Sequence, residues 1–600
     1  MAGILRKMIQ LTDTHNTRRL LIGGLSIAFF LYFGIFNQYH ILYLEQSQLF
    51  LYNYSFLKEQ FSLPGGLPLY LGSFFTQFFI SSWAGAFIIT LNAFTVFMLS
   101  DYIHKKHNIK NVVSAFVPVW LLAILQSNEL FTFGQSIGFL TLLLFFGLYI
   151  SINKRVLRYI FQFSAWPVLY ILIGGYAIPA VIMCAIHELF FRKQDYHKIV
   201  FVFYIIEGVL APYVFANFMF YIQISKIFIY PVLLKLNTYS LYALILLLSW
   251  IPLMSVVTYF LNKIRTTKSK PIAWNFHNVL AGTLIFALMG LGVYKYGYNK
   301  RTELMLGIDY HAQHAEWEKV LKLSDQYPDF NLMVLYYTNL ALYKTGNLLE
   351  KMFSYTQTGA NGLRLKRERS SGFFFGGEVF YYLSYTSEAS RWAFEAMVAK
   401  GLNPRALKRL IMTSIINGDT EIAKKYLYLL NQTLFYRKFT REYVNYLKNP
   451  AMAGKHPDIS RNRDLVIHSD FVSSGNDLNL LDLLNNHPEN KMAYEYLMAS
   501  LLLDKRLDAF AKYILRIKDY GYTKIPVHIE EALILYNSFE NKNIMPAGFS
   551  FRPETIRRFK GYLEKYNSYG DNTELAAREL KNTYGKTYWY YLQFINNNQK

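Results

Sequence analysis

Cysteine is almost absent from this 600-residue chain: Cys184 stands alone inside an apolar run. Intrachain disulfides and multi-cysteine metal sites are thereby excluded. The first half lacks long polar stretches up to about Tyr294, and the second half, from Asn299, lacks any apolar run long enough to span a bilayer. Acidic residues are scarce, 40 against 62 Lys and Arg, for a formal net charge of +22. No zinc-finger spacing and no recognition-helix signature accompanies that charge, which argues against nucleic acid as a partner. A Walker loop, a GxSxG elbow and a dinucleotide fingerprint are missing too. His187–Glu188 opens like a zinc helix, but no second histidine follows at the required spacing.

What the chain has is apolar sequence, 53% hydrophobic with 18% aromatic. A helix needs about 20 apolar residues to cross the hydrocarbon core. Runs at 20–37, 82–100, 112–127, 135–153, 159–174, 176–191, 199–221, 239–261 and 274–294 predict nine spans. The first follows Arg6, Lys7, Arg18 and Arg19 without a small-residue cleavage site, as a retained anchor would. With the N-terminus inside, the inner loops hold seventeen basic residues, Lys105, Lys154, Arg158 and Arg192 among them, and the outer loops before the last span hold Lys58, Lys226 and Lys235. That asymmetry fixes the predicted orientation. An odd span count then puts the second half outside. The run 67–80 is too short to cross and follows Pro64–Gly65–Gly66, so it is expected to lie in the outer interface or to re-enter.

The expected fold class is all-α: a polytopic transmembrane domain over 1–298 and a helical-repeat domain over 299–600. Amphipathic helices pair at 314–326 with 333–345, 388–400 with 404–417, 419–432 with 437–448, and 489–504 with 507–518. Leu332, Leu335, Tyr336, Asn339, Leu340 and Tyr343 fall at three- and four-residue steps, the stripe of a core-facing helix. The pairs recur near the period of about 34 residues of tetratricopeptide-like arrays, without their consensus. One stretch, 360–379, breaks the rhythm with Arg364, Lys366, Arg367 and Arg369 ahead of Gly376, Gly377 and Glu378. It suits either a phosphate or anionic headgroup, or a plain solvated face.

Chemistry is expected in the long aromatic outer loop 37–66, which carries Glu45 and Glu59, and in the second outer loop, which carries Glu129. Carboxylates there can act as a general base or hold a divalent cation against a phosphate leaving group; taken singly, each also reads as a solvated loop carboxylate. Glu207 lies about 12 Å into the seventh span at 1.5 Å per residue, where an ionisable group faces the bundle interior or pairs with a neighbouring helix. Lys226 and Lys235 are the outside cations best placed to meet a lipid phosphate, or they are solvated interface lysines.

The block 391–437, with GFFFGGEVFYYL before it, resembles an uncharacterised bacterial family that joins a polytopic half to a helical-repeat tail. Residues 45–86 resemble the opening of the lipid-donor glycosyltransferases of the GT-C superfamily, through Glu45, the break at Pro64–Gly66 and LPLYLGSFFTQFF. The acidic position here is a single Glu45, not a pair. The second resemblance implies a transferase at the outer face of a bacterial inner membrane, with a cytoplasmic N-terminus and a periplasmic C-terminal domain. Its donor would be a polyprenyl-phosphate-linked sugar. Glu45 would be base or metal ligand with Glu129 assisting, and Lys226, Lys235, Arg364 or Arg367 would hold the phosphate. The repeat domain would present an acceptor, for example a protein. The rival expectation is a non-enzymatic membrane scaffold that recruits partners in envelope assembly or export.

Overall fold

A computed structural model describes residues 14–109, 112–192, 196–232, 236–264, 276–365, 370–467 and 479–595. It is all-helical: among the described residues the only β feature is one bridge between Thr358 and Ala360. The chain divides into two compact units, Met1–Glu303 and Leu304–Lys600.

The first unit contains α1 (Thr14–Leu31), α2 (Gln38–Ser47), α3 (Tyr54–Gln60), α4 (Gly66–Thr76), α5 (Ser82–Lys106), α6 (Val112–Gln126), α7 (Phe133–Ser151), α8 (Arg155–Ile173), α9 (Ala177–Phe191), α10 (His197–Phe218), α11 (Thr238–Ile264) and α12 (Phe276–Tyr296). Among the described residues five helical stretches are long and apolar enough to cross a membrane: Ser82–Lys106, Phe133–Ser151, Arg155–Phe191, His197–Phe218 and Thr238–Leu261. A sixth is reached if Ile22–Phe36 and Gln38–Ser47, bent by 72° at Asn37, count as one span. Nine separate spans are therefore not what the described helices give, and the run 274–294 begins outside the described residues. The runs 159–174 and 176–191 join in one 37-residue stretch, and 112–127 forms a helix of only 15 residues. Much of this unit's surface is apolar, as on α10, where Phe203, Ile206, Val209, Leu210 and Tyr213 are exposed. A surface of that kind suits lipid and not water.

Tight packing places the segment after the first bend. Pro68, Gly72 and Thr76 form the buried stripe of α4, and Gly72 meets Gly134 at the start of α7 so closely that a Cβ on Gly72 would lie 2.5 Å from the Gly134 Cα. Helix α4 is thus held against a long apolar helix by backbone contact. Beside it, three chain breaks meet. Gly65, with φ +88°, donates its N–H to the Ile171 carbonyl at 3.0 Å, and Gly175 donates to the Tyr230 carbonyl at 2.7 Å. Gly174 takes φ +57°, and a Cβ there would strike the Tyr230 carbonyl. The Gln135 amide completes the knot, giving an N–H to the Pro231 carbonyl (3.0 Å) and accepting from the Tyr176 hydroxyl (2.7 Å). Cys184 is fully buried in the core these helices share with Trp166, Tyr170 and Tyr176.

The second unit is a succession of packed helices, among them α13 (Lys300–Gln313, which begins in the first unit), α14 (Trp317–Asp325), α15 (Leu332–Lys344), α16 (Glu378–Tyr382), α17 (Thr386–Lys400), α18 (Pro404–Asn417), α19 (Thr420–Asn431), α20 (Arg437–Lys448), α21 (Pro457–Asp464), α22 (Lys491–Leu503) and α23 (Val527–Glu540). Local chemistry sets their ends. Asn331 and Asn403 cap α15 and α18 by accepting backbone N–H groups, and Pro404 occupies the first turn of α18 where no N–H is needed. Gly418, at φ +85°, ends α18 in the left-handed region. Helix α15 buries every residue from Val334 to Leu342, so it is a central helix and not the one-sided helix its stripe suggests. The glycine-aromatic stretch near 376 is core as well: Phe374 and Phe375 are buried, and a Cβ on Gly376 would lie 2.4 Å from the Trp392 ring.

Replacing Gly72 by Leu should destabilise the purified protein by about 1–3 kcal/mol or more, because the backbones cannot part without breaking the α4–α7 contact. Gly292→Ala, in open space, is the control and should leave the denaturation midpoint in detergent unchanged or raised.

Candidate functional site

Glu45 lies near the end of α2 and is buried at 4% exposure, with its carboxylate accepting from the Gln46 side-chain amide at 3.2 Å. The start of α2 is held by Glu303, whose carboxylate accepts the backbone N–H groups of Tyr39 (2.6 Å) and His40 (3.2 Å). These are donors of the first turn, which has no intrahelical acceptor to offer them. The His40 ring is buried and hydrogen-bonds the backbone of Gln126 at the end of α6. The turn that follows, Ser127–Thr132, carries Glu129 exposed. Tyr32 bonds Ser127 Oγ at 3.0 Å and lines an apolar cavity of about 220 Å³ between α1, α5, α6 and α12, with Phe29, Phe97, Trp120 and Val293 among its walls. One end of the unit thus gathers the bend at Asn37, the Glu45 helix, the Glu129 turn and the mouth of an apolar cavity.

After Glu45, Phe50 gathers the Tyr52, Phe56, Tyr70 and Phe74 rings edge-on at 4.9–5.5 Å, which ties the loop to α3 and α4. Asn53 caps α3 by accepting the Phe56 N–H. Lys226 is exposed on a single turn of 3-10 helix, Ile224–Lys226, close in sequence to the Tyr230–Pro231 break. Arg364 follows the 3-10 turn Asn361–Leu363 in the second unit. Lys235 and Arg367 lie outside the described residues. Glu207, half-buried on α10, accepts from the Gln162 amide at 3.2 Å with one oxygen, while the other is buried without a partner among the described residues.

At the opposite ends of these helices sits a network the sequence does not advertise. Arg158, expected as an inner-loop charge, is fully buried. It grips Glu188 with Nε (2.5 Å) and Nη2 (3.2 Å) and gives Nη1 to the Ile152 carbonyl. The Tyr149 hydroxyl donates to Glu188 at 2.8 Å, so the Tyr204 hydroxyl, 3.2 Å away, must donate to Tyr149. Next to it, Ser255 gives its proton to the Ile251 carbonyl and so receives His107 Nδ1–H at 2.7 Å. His107 Nε2 is left to accept His187 Nδ1–H at 2.9 Å. Both rings are therefore assigned as neutral, and His187 Nε2 is a buried acceptor without a donor among the described residues. Among the described residues no three His, Cys, Asp or Glu side chains gather as a metal site would need. The one sequence signal for this network is that Arg158 and His187–Glu188 flank long apolar runs.

The chain belongs to a family of unknown function (DUF6057), matched over residues 14–595. No curated protein matches it, and no solved structure does.

Two outcomes follow. Arg158→Met or Glu188→Leu alone should destabilise the protein by about 3–5 kcal/mol, because each strands a buried charge, and the double substitution should recover most of that loss in a double-mutant cycle. Burial pushes the Glu303 carboxyl up to about 8, despite the two backbone N–H groups that favour its charged form. A carboxyl raised by folding binds its proton more tightly in the folded chain. Its contribution to stability is therefore complete below about 4.5 and is lost as pH climbs through about 8. The melting midpoint should fall across that window, and Glu303→Gln should flatten part of the slope.

Proposed function

We propose that the protein is a membrane glycosyltransferase of GT-C-like design that takes a polyprenyl-phosphate-linked sugar at the outer side of a bacterial inner membrane. One observation carries the reading: the apolar cavity is lined by Tyr32, whose hydroxyl bonds Ser127 on the turn bearing Glu129, and the end of α6 just before that turn is tied through His40 to the helix bearing Glu45. A lipid tail seated in the cavity would leave its phosphate and sugar at this end. Glu45 would take the proton from the acceptor hydroxyl or hold a divalent cation, with Glu129 assisting from the rim. Lys226 and Lys235, or Arg364 and Arg367, would meet the phosphate. In this reading the N-terminus would lie in the cytoplasm, as the loop basic residues suggest, and the second unit in the periplasm, where its paired helices would act as a repeat domain presenting a protein acceptor.

A second reading has its own observation. Phe394 and Val398, one turn apart on α17, are both exposed, as a scaffold that docks a partner on its helical tail would have them.

The two separate in a deletion strain complemented with wild type or Glu45→Gln, with periplasmic glycoproteins and lipid-linked sugars measured by mass spectrometry. The transferase reading expects lost glycosylation and accumulated donor with Glu45→Gln at normal protein level. An unchanged glycan profile in the full deletion would sink it and leave the scaffold.

A further inference from the structure

In the second unit, Lys344 closes α15 and makes no ion pair or side-chain hydrogen bond among the described residues. Its ammonium sits 3.6 Å from the centre of the Tyr382 ring, with the Trp317 and Tyr343 rings each at 6.0 Å. Trp317 meets Tyr382 edge-on at 5.5 Å, so the two rings form one wall. Arg461, on α21, brings its guanidinium to 5.6 Å from the same Tyr382 ring. Its Nη1 reaches Asp458 at 3.3 Å. Its Nε and Nη2 are buried and meet no acceptor among the described residues.

A third cation adds to the cluster. Arg409 stacks over the neighbouring Tyr381 at 3.7 Å and pairs with Glu378 at 2.5 Å, yet its buried Nη1 also lacks an acceptor among the described residues. Burial, and then the repulsion of Arg461, bring Lys344 down to about 7, with Asp458 pulling weakly the other way. Packing alone gives no reason for this arrangement. Buried N–H groups without acceptors and a lysine without a carboxylate weaken a fold. An anion with several oxygens would relieve both. The Nε–Nη2 edge of an arginine is a two-pronged donor, a lysine adds a point charge, and aromatic faces accept the apolar remainder of a ligand.

We propose that Lys344 and Arg461, walled by Trp317 and Tyr382, form a binding site for an organic phosphate monoester. The phosphate oxygens take the Arg461 edge and the lysine, and the organic group lies against the Trp317 ring. The site is independent of Glu45 and of any sugar transfer.

The test uses the full chain in phosphatidylcholine nanodiscs, in phosphate-free buffer, with phenyl phosphate as probe. Acetylation of Lys344 by acetic anhydride, read by mass spectrometry, should be blocked saturably by phenyl phosphate. Calorimetric affinity should fall by at least about tenfold in Lys344→Gln and in Arg461→Gln, while Lys344→Arg should stay within about threefold of wild type. No protection of wild type at millimolar probe overturns the site. Protection by benzoate at equal concentration overturns the phosphate assignment, and unchanged affinity in Arg461→Gln overturns the arginine's role. A lipid headgroup and a free phosphate share this chemistry. Weaker phenyl phosphate binding in nanodiscs that contain phosphatidic acid assigns the headgroup as the source, and unchanged binding assigns a soluble phosphate; both keep the site.

Discussion

Backbone N–H and C=O groups cannot be left open in an apolar surround, so wherever a helix stops inside one, something must meet the freed groups. In the first unit the answer is that the stops meet each other. Gly65 is answered by the last turn of α8, Gly175 by the Tyr230 carbonyl, and the Pro231 carbonyl by Gln135. Glycine is required at Gly65 and Gly174 because φ is positive there, with the Pro231 ring against the first and the Tyr230 carbonyl against the second. The α4 segment, its docking on α7 through Gly72, and the shape of the loop bearing Glu45 all follow from that mutual arrangement.

The two ends of the same helices solve the problem of polar groups differently. At one end a carboxylate, Glu303, satisfies the start of α2 through main-chain donors. At the other, side chains answer side chains: Arg158 pairs its charge with Glu188, and the neutral His107 ring hydrogen-bonds His187 and Ser255. A bidentate guanidinium–carboxylate pair holds its register along two helices at once, because a shift of either helix would break both hydrogen bonds.

Helix positions were legible because apolar runs and their punctuation are local. Asn403–Pro404 and Gly418 mark the limits of α18 to the residue. What could not be read is whatever depends on where a helix end points. Arg158 looks the same in sequence whether it faces water or a buried glutamate 30 residues on. The length and apolarity that suggest a span do not say whether neighbouring runs are separate, as 159–174 and 176–191 show. At the candidate site, position alone singled out Glu45, Glu129 and Glu207, but not that Glu45 is buried, that Glu129 is exposed, or that Gln162 meets Glu207. Glu303 escaped notice because its partners lie 263 and 264 residues away. Lys344 escaped because a lysine at a helix end ordinarily reads as solvated.

Cys184 is the only thiol, and it is sealed among the rings and aliphatic side chains of the first unit's core. The native chain is thus already a silent background for thiol chemistry. A single cysteine placed on the Glu129 turn, beside Lys226 or after Lys105 would be the sole target of a membrane-impermeant maleimide on intact cells. The sidedness of each helix end could be charted one position at a time without first disturbing the core.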